Sequence, residues 1–224
     1  MLMRLLYAAS PARPTGSFAW SGGLAPYVLA GELTDAAGLK AWIGDMVRHV
    51  LVPSDLPILS RCFSAALRRD DEAFARWNAA ALASRGTAEL LLGERETGGA
   101  VMRMLRAGGL LEGFPEGMGR WDTGYLASFG LMAAALGLSW DDAGNVAAAF
   151  LWGTVESLAL CASKSVPLGQ NAVQGVLLDL MGGTLPQAVE DAMNLHDWEL
   201  GASAPLHAIR SSGHEESPVR MFRS

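Results

Sequence analysis

The sequence has few charged residues and only two lysines, Lys40 and Lys164, among its 224 residues. A nucleotide-binding P-loop needs a lysine directly after a glycine to reach the phosphates, and neither lysine follows a glycine. The formal net charge is −6, and no basic cluster is longer than Arg68-Arg69. Nucleic acids bind to basic patches. These absences exclude a P-loop nucleotide hydrolase and argue against a nucleic-acid-binding protein.

Patterns for metal binding and nucleophilic catalysis are missing as well. Three of the four histidines lie near the C-terminus, His196, His207 and His214. They stand eleven and seven positions apart, which is not a metal-ligand spacing. The segment His214-Glu215-Glu216 offers at best a loose divalent-ion site, and solvated polar residues are the interpretation we favour. No Gly-x-Ser-x-Gly or Ser-x-x-Lys motif is present. We therefore predict no catalytic residues, no metal site and no cofactor of its own.

The two cysteines, Cys62 and Cys161, lie in apolar surroundings and are predicted to be reduced core residues. Half of the residues are hydrophobic and the mean hydropathy is +0.22, so the apolar surface must be buried in a core, against a partner or in a membrane. The segment 146–162 is about 17 residues long and contains Glu156, whereas a spanning helix needs roughly 20 uncharged residues. We interpret it as a core helix. The first ten residues predict a short amphipathic helix rather than a signal peptide, and we expect a cytoplasmic protein.

Apolar residues recur at helical spacing along almost the whole chain. The predicted helices cover about 42–51, a segment beginning at the capping residue Ser54, 71–84, 88–106, and segments opened by Ser139 and Thr184 at capping-box spacing. No stretch alternates with period two, so strands are not needed. A glycine-rich loop is expected over 108–124. The pattern predicts an all-α, single-domain, bundle-like fold of about ten helices.

The C-terminal part of the sequence has a different character. From about His196 the chain is polar and irregular, and residues 210–220 are too polar to fold alone. The last six residues nevertheless alternate apolar anchors with arginines. We therefore divide the chain into a helical domain, 1–210, and a flexible tail, 211–224, that orders on a partner. A frayed terminus is the alternative.

Three segments are far more specific than these patterns. They are Ser10–Leu24, Lys164–Gln170, and Ala204–Ile209 followed by His214-Glu215 and Arg220–Ser224. In this order, in a helical chain of this length, they resemble the UreF family of urease accessory proteins. Weaker matches are Asp55-Leu56-Pro57 and Glu94–Gly98. The likeness extends over almost the whole chain.

The resemblance implies a non-catalytic scaffold for assembling the nickel centre of urease. Members of the family are all-α homodimers that bridge a UreD/UreH-type accessory protein to the GTPase UreG, and the complex docks on the urease apoprotein. Nickel and GTP are then handled by these partners. Two other interpretations stay open: a helical interaction protein or chaperone for a different client, and a small-ligand-binding domain that uses a tryptophan-rich core.

The matched segments supply the candidate partner-binding residues. They are Gly16, Ser21, Gly22, Lys164, Pro167, Gly169, Gln170, Arg220, Phe222 and Arg223. Each has a structural alternative. Pro167 and Gly169 serve equally well to end one helix and begin the next, Gln170 to cap it, and Lys164 to neutralise a helix C-terminus. The glycines suit either a loop or the close approach of another chain, whereas the terminal Phe and Arg side chains suit an interface.

The purified protein alone is predicted to have no GTPase activity and no stoichiometric, tightly bound nickel, because it has neither a P-loop nor clustered ligands. A phosphate-release assay and equilibrium dialysis measure the two quantities. One nickel bound per chain at submicromolar affinity would contradict the second half of the prediction.

Overall fold

The computed structural model of the chain describes residues 1–16, 19–119, 122–201, 204–215, 217 and 222. Eleven α-helices form in this part of the chain, and none of its residues lies in a β-strand. They are α1 Leu2–Ala9, α2 Ala25–Leu29, α3 Ala36–Met46, α4 Leu56–Arg68, α5 Asp71–Ala83, α6 Ala88–Ala107, α7 Tyr125–Ala135, α8 Ala143–Ser165, α9 Gln170–Met181, α10 Thr184–Met193 and α11 Pro205–Glu215. The prediction of a single all-helical fold is confirmed.

A π-helical segment, Val47–Asp55, joins α3 to α4 without a break. Pro53 lies inside this segment. A proline in an α-helix has no N–H to donate, and its ring collides with the carbonyl four residues earlier, so the wider π turn accommodates it. The predicted helix start at Ser54 is wrong, since Ser54 is buried and makes no capping bond. The Leu56 N–H donates to the carbonyl of Leu51, which continues the helix and makes a cap unnecessary.

The hydrophobic core is centred on α7, which is buried from Leu126 to Ala133. A helix that is apolar on all sides must be covered on all sides; α4 and α6 lie closest against α7, while α8 packs against α1, α4, α9 and α10. The crossing of α4 and α7 leaves no space for a side chain at Gly130. A Cβ there would lie 2.8 Å from the backbone nitrogen of Phe63. Both cysteines are buried in this core and form no disulfide, so their predicted place in the core is confirmed.

Several helix starts are fixed by side-chain caps. The side chains of Asp35, Asp70 and Thr87 accept backbone N–H groups at the starts of α3, α5 and α6. The capping box predicted at Ser139 forms with Asp142, at a short 3₁₀ turn that leads into α8. The one predicted at Thr184 does not form. Gly183 is the N-cap there, and a glycine has no side-chain oxygen to accept an N–H. Thr184, which was expected to supply that oxygen, is the first residue inside the helix.

Two helical stretches, Ala36–Arg68 and Trp140–Ser165, are long and apolar enough to cross a membrane. Of their most apolar windows, 67% and 56% respectively is buried inside the fold. Helices of this kind form the cores of globular proteins as well as membrane spans, so length and composition alone do not distinguish the two. Their burial confirms the interpretation of residues 146–162 as a core helix.

The C-terminal region differs from the irregular segment that the sequence predicts. Helix α11 forms from Pro205 to Glu215, and the predicted domain boundary between residues 210 and 211 falls inside it. Proline is favoured in the first turn of a helix. Ser211, His214 and Glu215 of α11 contact residues at the start of α6, and Ser211 is completely buried. The ordering of the remaining tail on a partner stays a prediction.

Replacing Gly130 with alanine is expected to lower the free energy of unfolding by about 1–3 kcal/mol, because α4 and α7 must move apart. The matched control is Gly175→Ala in α9, where a Cβ meets nothing within 4 Å. That variant should be stabilised by roughly 0.5–1 kcal/mol, the usual gain from removing a helical glycine. Chemical denaturation of both variants measures the difference. Equal effects at the two sites would show that the crossing is not tightly packed.

Candidate partner-binding site

The glycine-rich turn of the N-terminal segment, around Gly22 and Gly23, forms the surface on which α11 packs. Gly22 and Gly23 both have positive φ, +59° and +82°, a conformation that side chains disfavour. A Cβ on Gly23 would lie 2.1 Å from Cε1 of His207, and one on Gly22 would lie 2.8 Å from Leu158 of α8. These glycines therefore serve two purposes: they allow the turn, and they let α8 and α11 approach its backbone.

The side chain that packs on this turn is His207, in the middle of the third matched segment. Its ring stacks on Tyr27 with centroids 6.3 Å apart, and Trp42 lies 6.2 Å away on a tilted plane. Only 8% of the residue is exposed. Burial lowers the pKa of His207 to about 4, since a charged ring would lose its hydration. At neutral pH the imidazole that packs on the glycine turn is therefore uncharged.

A second set of contacts ties α11 to the beginning of α6. The hydroxyls of Thr87 and Ser211 share a hydrogen bond of 2.8 Å, and His214 Nδ1 lies 2.9 Å from Glu89 Oε2. The Glu89 backbone N–H donates to Glu215 Oε1 at 3.2 Å. The interpretation of His214 as a solvated residue is therefore wrong, since it is only 3% exposed, whereas Glu215 is exposed as expected. They satisfy polar groups at a helix N-terminus that would otherwise lack partners.

The N-terminal segment also contacts the end of α8. The Cys161 thiol donates to the carbonyl of Trp20 at 3.6 Å, and burial raises the pKa of this thiol to about 11, so it stays protonated. Lys164 follows one turn later on the same helix and is exposed. The first and third of the segments that carry the family resemblance thus meet at the glycine turn, and the first also contacts α8 at Leu158 and Cys161, just before the second segment begins.

The connection from α8 to α9 presents four candidate residues on the surface. Lys164, Pro167, Gly169 and Gln170 are all exposed. Gly169 is the N-cap of α9 in an extended conformation, and a Cβ on it would meet nothing within 4 Å. Val166, by contrast, is 4% exposed and anchors the connection to the core. Pro167 and Gly169 lie between the end of α8 and the start of α9. All four residues are accessible to another protein.

The other candidates divide into buried and accessible residues. Ser21 is completely buried and Gly22 lies against Leu158, so in this fold both contribute to internal packing rather than to a surface. Gly16 has a positive φ of +69° and no neighbour at its Cβ position. Phe222 packs against the core of its own chain and is partly buried. Arg220 and Arg223 lie outside the described residues.

Helix α1 carries an exposed apolar surface that the list of candidates omitted. Its large hydrophobic residues with more than two-fifths of their area exposed are Met1, Leu2, Met3, Leu6 and Tyr7. Only Ala8 of this helix is buried. The sequence did predict an amphipathic helix here, but amphipathicity does not tell which of its apolar residues the body of the protein will cover. Surfaces of this kind are typical of protein–protein contacts.

Sequence reasoning also missed a buried ionic network beside the junction. Arg85, in the turn before α6, lies 3.0 Å from Asp55 of the π segment and 3.2 Å from Glu94 of α6. The other oxygen of Glu94 accepts the Leu126 N–H at the start of α7, at 2.8 Å. Burial alone would lower the pKa of Arg85, but the two carboxylates outweigh it and raise that pKa. Burial raises the pKa of Glu94 despite Arg85. The only signal in the sequence was the presence of Asp55 and Glu94 in the weaker family matches.

Within the described part of the chain, no three His, Cys, Asp or Glu side chains are grouped so as to hold a metal ion. Accessible surfaces lie on α1 and at the α8–α9 connection. Their geometry suits the binding of another macromolecule.

Comparison with known proteins gives a consistent result. The family model described as UreF matches residues 33–181. Proteins named "Urease accessory protein UreF" from Methylobacillus flagellatus and Pseudomonas putida are 38% and 39% identical, with all of this chain and 97% of each relative covered. The one from Chromohalobacter salexigens is 36% identical over all of this chain and 94% of its own length. Along its whole length the chain is similar to urease accessory proteins. It belongs to the UreF family.

Acidification is expected to weaken the protein through His207. Because its pKa is about 4 in the folded chain and about 6.5 when unfolded, the unfolded state binds more protons between these values. Stability is thus complete above pH 6.5 and is lost as the pH falls toward 4, by up to about 1.4 kcal/mol per pH unit. His207→Phe keeps a ring but cannot titrate, so its stability should fall less over this window.

Denaturation midpoints measured at intervals between pH 4 and 7 test this expectation. The control is His49→Gln, at an exposed histidine on the π segment, which should follow the parent protein. Parallel pH profiles for the parent protein and His207→Phe would show that His207 does not contribute.

Proposed function

We propose that this protein is a non-catalytic scaffold in the nickel-dependent maturation of urease. In this role it bridges a UreD/UreH-type accessory protein and the GTPase UreG on the urease apoprotein, and it acts in the cytoplasm as a homodimer. Nickel and GTP are bound by the partners. The main support is the similarity over the full length to proteins named as urease accessory proteins.

The distribution of exposed side chains supports a role in binding other proteins. The apolar surface of α1 and the connection carrying Lys164 and Gln170 are both accessible. The glycine turn packs against Leu158 of α8 and His207 of α11. Rigid packing lets a scaffold hold two separate surfaces in a fixed relation, since neither has to be ordered at the moment of binding.

Two alternatives remain distinct from this proposal. A helical chaperone for a different client would use the same surfaces, and only the identity of the bound proteins separates it from the urease role. A small-ligand domain built on tryptophans has less support. Among the described tryptophans, Trp20 alone lines the cavity of about 290 Å³ between the π segment, α6, α8 and α11.

Deleting Arg220–Ser224 is expected to abolish recruitment of the UreD/UreH-type partner while leaving the helices formed. Loss of a Phe anchor and an Arg contact, each worth roughly 1.5–3 kcal/mol, would weaken a complex about a hundredfold or more. Co-purification with urease subunits and the GTPase from cells expressing all partners measures recruitment, and circular dichroism measures the fold.

Phe222→Ala is the control for this deletion, because Phe222 packs partly against its own core. A truncated protein that melts far below this variant would assign the tail to the core. A truncated protein that co-purifies normally would show that the tail does not contact the partner. Failure of the full-length protein to co-purify with any urease component would favour a different client.

A further inference from the structure

A cavity of about 290 Å³ lies beneath α11. Its walls come from the π segment, the turn before α6, α6 itself, α8 and α11. Ser84 and Gly86 belong to its lining and are exposed, which places the mouth at the turn before α6. A Cβ on Gly86 would lie 3.4 Å from Ala208 of α11, so α11 borders this mouth. The volume is close to the lower end for small-molecule sites, roughly 300 Å³.

Five residues of the lining each have one buried polar atom without a hydrogen-bond partner among the described residues. These atoms are Asp55 Oδ1, Arg85 Nε, Glu89 Oε1, Thr154 Oγ1 and His207 Nδ1. Asp55, Glu89 and His207 are only 4%, 8% and 8% exposed. More than about 90% of buried polar groups in proteins have partners, so five such atoms around one cavity indicate that something else satisfies them.

The chemistry of the lining defines what fits. Carboxylates outnumber cations in the lining, which holds Asp55, Glu89 and Glu94 but the single guanidinium of Arg85. Arg85 pairs with Asp55 and Glu94, and Glu89 Oε2 lies 2.9 Å from His214 Nδ1. Only Arg85 Nε is committed to donating, whereas the carboxylate oxygens can only accept. An anion would be repelled by this surplus of negative charge. A directly coordinated metal ion is disfavoured by the lack of three grouped ligands among the described residues. A compact cation with several N–H donors satisfies both the charge and the free acceptors.

We propose that this cavity binds a small organic cation of the ammonium or guanidinium class. Asp55 and Glu89 accept its N–H groups, and Thr154 and His207 complete its hydrogen bonds from the α8 and α11 sides. The ion pairs of Arg85 hold the Asp55 carboxylate in place through its other oxygen. This site is separate from the exposed surfaces proposed to bind proteins, so it does not depend on that function.

The test uses the full-length protein with methylammonium and guanidinium at low millimolar concentrations, well below denaturing levels. Tetramethylammonium, which has the same charge but no N–H, and acetate serve as matched controls. Backbone amide NMR shifts should saturate for the two N–H cations, with the largest changes at residues lining the cavity. The two controls should produce no saturable change there.

Thr154→Val tests the residue assignment without breaking an ion pair, since the Thr154 hydroxyl has no partner among the described residues. It should weaken binding about tenfold, the loss expected for one buried hydrogen bond at about 1.4 kcal/mol per factor of ten. Thr184→Val, outside the cavity lining, should bind like the parent protein. Asp55→Asn should bind least, provided that circular dichroism shows it folded.

Several results would overturn the proposal. These are the absence of saturable shifts with both N–H cations, an equal response to tetramethylammonium, and full affinity in Thr154→Val. A response to divalent metal ions but to neither organic cation would likewise overturn it. In each of these cases ordered water or a hydrated metal, rather than an organic cation, would account for the free polar atoms.

Discussion

The ionic network of Arg85, Asp55 and Glu94 is the interaction on which the arrangement of the helices depends. It joins the π segment, the turn before α6 and α6, and through the Leu126 N–H it reaches the start of the central helix α7. Buried charges lose their hydration, and removing one partner of such a network typically costs about 3–5 kcal/mol. Four elements must therefore keep their relative positions for each charge to stay paired. The apolar core then packs around elements whose register is already fixed.

Helix α11 completes this arrangement by covering polar groups rather than apolar ones. Its inward side carries His207, Ser211 and His214, which meet the glycine turn and the N-terminus of α6, while Leu206 and Ile209 stay 59% and 67% exposed. A helix that buried its apolar side here would leave the N–H groups of α6 and the Glu89 carboxylate without partners, at a cost of roughly 1–3 kcal/mol for each group. Polar satisfaction, not hydrophobic burial, thus sets the orientation of α11 and leaves an apolar face outside.

The polar inward side of α11 explains why this helix could not be predicted from the sequence while others could. Helices such as α5 and α6, whose apolar residues face the core, were found from periodicity and capping residues alone. Helix α11 was missed because its inward residues are the polar ones, so its pattern resembles a solvated segment. The continuation of α3 into α4 was missed because Pro53 normally ends a helix, and only the observed π geometry shows how it is accommodated.

The glycine turn shows the same limit for the candidate site. The motif was recognisable in the sequence, and it was assigned to a partner surface because glycines permit close approach. In the structure the groups that approach these glycines are the chain's own His207 and Leu158. Sequence spacing carries no information on which distant segment returns to a turn. The residues on α1 and around Lys164 stay accessible, whereas Gly22 and Gly23 lie against side chains of their own chain.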